Sequence, residues 1–321
     1  VLRSNRSDPP CLNIDGLVKD FGPLPSLEGK MVRVLDGVAL QAYRGQVTAL
    51  LGANGAGKTT TIECAQGLLS RDGGTVSLLG EDPARATSSL RARVGVMLQD
   101  GGLPPAARPL ALLRHIAGMY SRPADIDALV ARLGIGSFAG TPVRRLSGGQ
   151  KQRLAMAAAL AGDPEVLFLD EPSAGLDPQS RAIVFDLVRE LRDEGLGIVL
   201  TTHLLDDAQR LADYVYIVDA GRTVTHGTVP DLINATRPTE SGRVLTFEAV
   251  PGLDVASIVP GHLSAVETRP GSYTVTGPLA AADLAVLAQA WDAAGVMPTA
   301  LQLSPRSLED VFLEVSGKEL P

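Results

Sequence analysis

Residues Gly52–Thr59 read G-A-N-G-A-G-K-T, directly after the short apolar run Val47–Leu51, V-T-A-L-L. The pattern predicts a buried strand entering a tight glycine-rich loop, then a helix over Thr59–Leu69. The octet fits G-x-x-x-x-G-K-[ST], whose glycines let successive backbone N–H groups turn inward around phosphate oxygens. The dipole of the following helix adds to that attraction. Gly52, Ala53, Asn54, Gly55, Ala56, Gly57, Lys58, Thr59 and Thr60 are therefore the candidate phosphate contacts, with Lys58 reaching the β- and γ-phosphates and Thr59 ligating Mg²⁺. Lysine is scarce in this chain, at positions 19, 30, 58, 151 and 318, so one in such a setting stands out.

Two further stretches carry chemistry. Val166–Glu171 (V-L-F-L-D-E) is an apolar strand that delivers two carboxylates at its carboxyl end, the edge where parallel α/β sheets bind ligands. Asp170 suits a Mg²⁺ shell, and Glu171 suits a base that activates water. Leu146–Gln150 (L-S-G-G-Q) opens a helix predicted over Gln150–Ala161. A hydroxyl and two glycines at a helix start form a second anion site. One nucleotide does not readily occupy both, which points to two chains sharing each ATP.

The rest of the chain alternates helices and apolar strands. Pro178–Glu194 is amphipathic, Gly197–Thr201 reads as a buried strand, and Tyr214–Asp219 with Arg222–Thr225 reads as a hairpin about Ala220-Gly221. Such alternation implies a mostly parallel sheet covered on both faces. Residues 1–33, broken by Pro9, Pro10, Pro23 and Pro25, are expected to be irregular, and residues 100–160 to form a helical insert that includes Ala124–Leu133. The polar segment Asn234–Arg243 is the expected linker between a domain of residues 1–233 and a small α+β domain of residues 244–321. In the latter, strands are expected at Val244–Val250, Ser272–Thr276 and Val296–Leu303, and helices at Leu279–Ala293 and Ser307–Val315.

Composition excludes several classes. With 29 Lys+Arg against 36 Asp+Glu in 321 residues, the net charge of −7 opposes a broad nucleic-acid face. The longest apolar stretch, near Leu154–Gly162, is far short of the ~20 residues a membrane span needs. No secretory leader is read at the N-terminus. Two distant cysteines, Cys11 and Cys64, make neither a disulfide framework nor a CxxC metal site, which suits a reducing, cytoplasmic setting. His203 has no second histidine at i+4, so a metalloprotease pair is absent.

Taken together, the phosphate loop, L-S-G-G-Q and L-F-L-D-E-P resemble the nucleotide-binding subunit of an ATP-binding cassette (ABC) transporter, in that family's order and spacing. Gln99 in G-V-M-L-Q-D, Ala174–Pro178 (A-G-L-D-P) and His203 in L-T-T-H extend the match across about residues 12–230. The tail Ser304–Gly317 resembles that of drug-resistance (daunorubicin-resistance-like) exporter ATPases. The resemblance implies an α/β P-loop NTPase core with an antiparallel β subdomain, a helical insert and a small C-terminal α+β domain. It implies ATP and Mg²⁺ as ligands, with Gln99 on Mg²⁺ or the attacking water and His203 on the γ-phosphate. Ser147, Gly148, Gly149 and Gln150 would meet the ATP of a second copy, and Asp177 would lie at the seam between copies. Ala53 departs from the family, where proline is commoner. Phe21 in K-D-F-G suits adenine stacking, with Tyr43 as a rival.

The function so implied is an active ATPase that powers export, of a drug or antibiotic-like molecule, through a separate polytopic membrane permease. The subunit would sit peripherally on the inner face of the cell membrane. A soluble ABC ATPase acting on nucleic acid or ribosomes is the alternative class, but the chain has one phosphate loop and no sustained heptads. A drug-sequestering protein, with Trp291 and Tyr273 lining a pocket, is a third.

Overall fold

The computed structural model describes residues 9–24, 30–85, 87–98, 102–234 and 243–316. The chain falls into two compact units, one reaching Val229 and the other spanning Pro230–Glu314. The first contains, in order, β1 (Leu12–Leu24), β2 (Lys30–Ala42), β3 (Val47–Leu51), α1 (Lys58–Gln66), β4 (Gly73–Leu78), α2 (Ser88–Ala92) and β5 (Val94–Met97). Then come α3 (Pro109–Ala117), α4 (Ile126–Arg132), α5 (Gly148–Leu160), β6 (Val166–Asp170), α6 (Pro178–Asp193), β7 (Gly197–Thr202), α7 (Leu205–Leu211), β8 (Tyr214–Asp219) and β9 (Arg222–Gly227). A short α8 (Val229–Asn234) follows.

Among the described residues, six strands form a sheet in the order β5-β6-β7-β3-β8-β9, parallel except for β9 against β8. Every residue of β3 and β7 is buried, as continuous apolar runs require when helices cover both faces. The phosphate loop leaves the carboxyl end of β3, whose neighbours are β7 and β8, so the loops after β3, β6 and β7 share one edge of the sheet.

Within residues 1–33, where an irregular chain is expected from the prolines, the described residues form strand, β1 and the start of β2, and residues 1–8 and 25–29 lie outside the described residues. β1 pairs antiparallel with β2 and with β4, and Leu12, Ile14, Leu17, Leu35, Val38 and Leu40 enter the core. The ladder shifts between Ile14 and Leu17 and again between Lys19 and Asp20, and Gly16 takes a left-handed φ of 60°. Each bulge displaces the apolar alternation, which removes the period-two signal of a strand. Pro9 and Pro10 precede β1, and Pro23 lies where the register loosens again.

At the opposite, amino edge of the large sheet, Glu165 pairs with Arg93 and Arg44. The Arg93 guanidinium, with one contact at 3.1 Å, holds the Glu165 carboxyl at about 2, and Arg44 adds to the effect. A depressed carboxyl stabilises the fold above its unfolded pKa and loses that contribution as pH falls toward the folded value. Glu165→Gln is therefore expected to lower the melting temperature at pH 7 and to flatten its fall between about pH 5 and pH 2. Thermal melts of both proteins across that range check this.

The second unit holds β10 (Arg243–Glu248), α9 (Val255–Ile258), β11 (Ser264–Arg269), β12 (Ser272–Thr276), α10 (Ala281–Ala293), β13 (Thr299–Pro305) and α11 (Leu308–Ser316). Its antiparallel sheet runs β11-β12-β10-β13, with Leu245, Phe247, Tyr273 and Val275 packed with Leu287 and Trp291 of α10. Phe247 stacks on Tyr273 at 5.2 Å and meets Trp291 edge-on at 4.9 Å. Both candidate pocket aromatics are thus core residues. Strand β11 escapes the sequence reading because it is an edge strand with almost no buried face. No helix of the described residues is long and apolar enough to cross a membrane.

Candidate nucleotide site

The phosphate loop is built by backbone geometry. Gly57, the N-cap of α1, has φ 102°, and no side chain caps the helix. A backbone at that φ favours glycine, and a Cβ there would also fall 2.5 Å from Leu35 Cδ2 and 3.3 Å from Val34 O. Asn54, Gly55 and Thr59 face solvent, while Ala56 and Gly57 are buried and Thr60 is half-buried. The first N–H groups of α1 thereby remain available to an external anion. The Ala53 carbonyl accepts the Ala56 N–H at 3.1 Å.

Lys58 is buried, and its Nζ donates to the carbonyls of Gly52 at 2.7 Å and Ala53 at 3.2 Å. Burial pulls its ammonium below the ordinary lysine range, against the Glu171 and Asp170 carboxylates, which favour the charged form. That opposition places both carboxylates within electrostatic reach of the loop.

Strand β6 delivers Asp170 and Glu171 to the same edge. Asp170 accepts a short hydrogen bond from Thr201 Oγ1 on β7. Glu171 is buried, with a φ of 50°. Its Oε1 lies 2.9 Å from His203 Nδ1, beyond the end of β7, and its Oε2 is buried without a hydrogen-bond partner among the described residues. A buried, unpartnered carboxylate oxygen is costly unless a ligand or water completes it.

Ser147 is the N-cap of α5, which begins at Gly148, two residues before the expected helix start. It forms a capping box in which the Gln150 N–H donates to Ser147 Oγ at 3.2 Å and the Ser147 N–H to Gln150 Oε1 at 3.0 Å. Ser147 and Gly148 are exposed, but Gly149 is buried, and a Cβ there would fall 2.9 Å from Ser180 Oγ. Ser180 in turn donates through N–H at 2.9 Å and hydroxyl at 2.7 Å to Asp177, the N-cap of α6. Those bonds hold the Asp177 carboxyl below the usual carboxylate range. The starts of α5 and α6 therefore pack as one surface, with Ser147, Gly148 and Asp177 outward.

Phe21 pairs with Val32 in the β1–β2 ladder, close to Val34 and Leu35, which abut Gly57. Tyr43 instead precedes β3, at the sheet's amino edge, away from the phosphate loop. The fold brings Phe21, and not Tyr43, to the loop's end of the sheet, with Lys19 Nζ 5.5 Å from the Phe21 ring centroid. Gln99 lies outside the described residues.

One cluster escapes sequence reading. Asp207 of α7 is buried, pairs with Arg181 of α6 and accepts a hydrogen bond from Ser173 Oγ. It ties together the segments that follow Glu171, Asp177 and His203. Nothing in the local sequence marks these three residues as partners, since only the fold brings them together.

A glycine-built phosphate cradle at the carboxyl edge of a parallel sheet, faced by a buried carboxylate and a histidine, defines a P-loop nucleotide hydrolase. The ABC transporter family profile matches residues 35–174. The chain is 35% identical to the daunorubicin resistance ATP-binding protein DrrA3 of Streptomyces coeruleorubidus, over 96% of each chain. It is 33% identical to the Nod factor export ATP-binding protein I of Ralstonia nicotianae, over 97% of this chain and 95% of that one. A solved ATP-binding subunit of an ABC transporter superposes with a TM-score of 0.62 at 27% identity, over 70% of this chain and 92% of that one. The chain belongs to the ABC transporter family, as an ATP-binding subunit with ATPase activity.

Proposed function

We propose that this subunit hydrolyses MgATP between two copies of itself and so drives export of a drug or antibiotic-like molecule through a separate membrane permease. What carries this reading is the pairing, in one chain, of an uncapped phosphate loop with an outward-facing second helix start at Ser147 and Gly148, next to Asp177. Two chains placed head to tail would let each loop's nucleotide meet the other chain's α5. The export role is supported by the full-length similarity to a drug-resistance and a Nod factor export ATP-binding protein. Attachment to the inner face of the membrane would then come through the permease.

Residue roles follow from chemistry. The backbone N–H groups at the start of α1 hold the β- and γ-phosphates, and Lys58 exchanges its loop carbonyls for phosphate oxygens. Phe21 offers a ring face to adenine. Thr59 and Asp170 are hard oxygen donors of the kind Mg²⁺ selects, and the buried negative charge at the end of β6 fits a cation there. When bound, Mg²⁺ neutralises charge on the phosphate oxygens. Glu171, whose Oε2 is buried without a partner among the described residues, takes a proton from the attacking water, while His203 holds Oε1 and reaches the γ-phosphate.

The test is an affinity capture of the full chain from detergent-solubilised membranes of its host. A polytopic membrane protein recovered in stoichiometric amount is the expected result. Recovery in the soluble fraction with ribosomal or nucleic-acid-binding proteins would overturn the export reading and leave the ATPase intact.

A further inference from the structure

Glu171 occupies a backbone conformation that its own sequence opposes twice. Its φ of 50° lies in the left-handed region, which glycine and asparagine visit but other side chains rarely do. It also precedes Pro172, whose ring pushes the preceding residue toward extended backbone. Such a conformation persists only when its surroundings over-determine it. Two of the restraints are backbone to backbone: the Glu171 N–H donates to Thr201 O at 3.1 Å, and the Ala174 N–H donates to Glu171 O at 3.2 Å. The third is a side chain. Gln152 Nε2, on α5, donates to Glu171 O at 2.9 Å, the shorter of the two bonds that this carbonyl accepts.

Helix α5 is well placed to act as a rigid mount. Its start is fixed by the Ser147–Gln150 capping box and by Gly149 against Ser180. Next to Gln152, Arg153 donates to Leu133 O at 3.0 Å and lies 5.2 Å from the Phe138 ring centroid. Gln152 is half-buried between these anchors.

We infer that Gln152 is a positioning residue for hydrolysis: its amide locks the strained Glu171 peptide, and so aims the carboxylate that His203 and the attacking water share. The inference rests on the role proposed for Glu171. Because Ser147 caps α5, the same bond links the helix end that faces a second copy's nucleotide to the carboxylate of its own chain. No contact of Gln152 with nucleotide is involved, so its loss acts on turnover and not on binding.

Steady-state ATPase assays on the full chain test this, with Gln152→Ala, Gln152→Glu and Gln152→Lys beside Glu171→Gln. Gln152→Ala is expected to lower kcat about ten- to a hundredfold, as displacement of a reacting group does, with KM for ATP changed less than about twofold. Gln152→Glu is near-isosteric but lacks the donor and faces a carbonyl with negative charge, so it should fall at least as far. Gln152→Lys restores a donor and should recover part of the loss. Thermal melts accompany each assay. If kcat survives both donor-less variants while Glu171→Gln collapses turnover, Gln152 has no positioning role and the role of Glu171 stands. If KM and melting temperature fall together with kcat and the lysine variant recovers nothing, the bond is merely structural and the inference fails. Normal turnover in Glu171→Gln would overturn the role of Glu171 itself, and this inference with it.

Discussion

Glu171→Gln is expected to bind ATP normally and to lower turnover by about a hundred- to ten-thousandfold, the usual contribution of a general base. The substitution is nearly isosteric and keeps the backbone bond from the Glu171 N–H to Thr201 O at 3.1 Å. An amide also retains an oxygen for His203, 2.9 Å away, so fold and loop geometry persist. What disappears is the basicity of Oε2, the one buried oxygen of this residue left without a partner. Two copies that close over ATP would then fail to reopen. Phosphate release gives the rate, and sedimentation with and without ATP gives the assembly state. The expected pattern is a dimer that forms with ATP and persists, with little phosphate produced. Turnover within a few-fold of the unsubstituted chain would remove Glu171 as the base and shift attention to His203.

What could be read from the sequence divides along physical lines. The phosphate loop, the end of β6 and the cap of α5 were legible because each is a local device. Spacing along the chain there dictates which backbone groups converge, so Lys58, Asp170, Glu171 and Ser147 could be named without a fold. The large parallel sheet was legible too, since a strand buried on both faces is a run of apolar residues. β1 was not, because bulges near Gly16 and Lys19 scramble the alternation that betrays a half-buried strand. β11 was not, because an edge strand with little buried face has no pattern to show. Phe21 was the candidate because it precedes a glycine in K-D-F-G, with Tyr43 as a rival, and the spacing alone does not say at which end of a sheet either ring lies. Gln152, Asp207, Arg181 and Ser173 were invisible because their partners lie between 19 and 34 residues away, on other elements.

Lys58→Ala removes a buried cation from the centre of the phosphate loop, and two effects are expected to separate. The first is on binding. Lys58 Nζ is held 2.7 Å from Gly52 O and 3.2 Å from Ala53 O, so the unliganded loop is already wrapped around an ammonium. A phosphate group arriving at α1 then exchanges with carbonyls that the charge already touches. Without the ammonium the loop keeps its N–H groups but faces the phosphates with Asp170 and Glu171 uncompensated, and affinity for ATP should fall at least a hundredfold, about 2.7 kcal/mol at 1.36 kcal/mol per factor of ten. The second effect is on the unliganded fold. Each hydrogen bond to a charged group contributes about 1.5–3 kcal/mol, and of the two bonds lost here the one to Gly52 O is buried and the one to Ala53 O part-buried, so the melting temperature should fall. Calorimetric titration reads the first and thermal melting the second. ATP at a hundred times its Kd should stabilise the unsubstituted chain by about 2.7 kcal/mol, and the same concentration should barely shift the variant. Unchanged ATP affinity would show that Gly52–Thr59 does not hold the phosphates, whatever the melting temperature does. A lower melting temperature with intact affinity would mark Lys58 as a structural plug of its own loop, and the site would have to be sought elsewhere on the sheet's carboxyl edge.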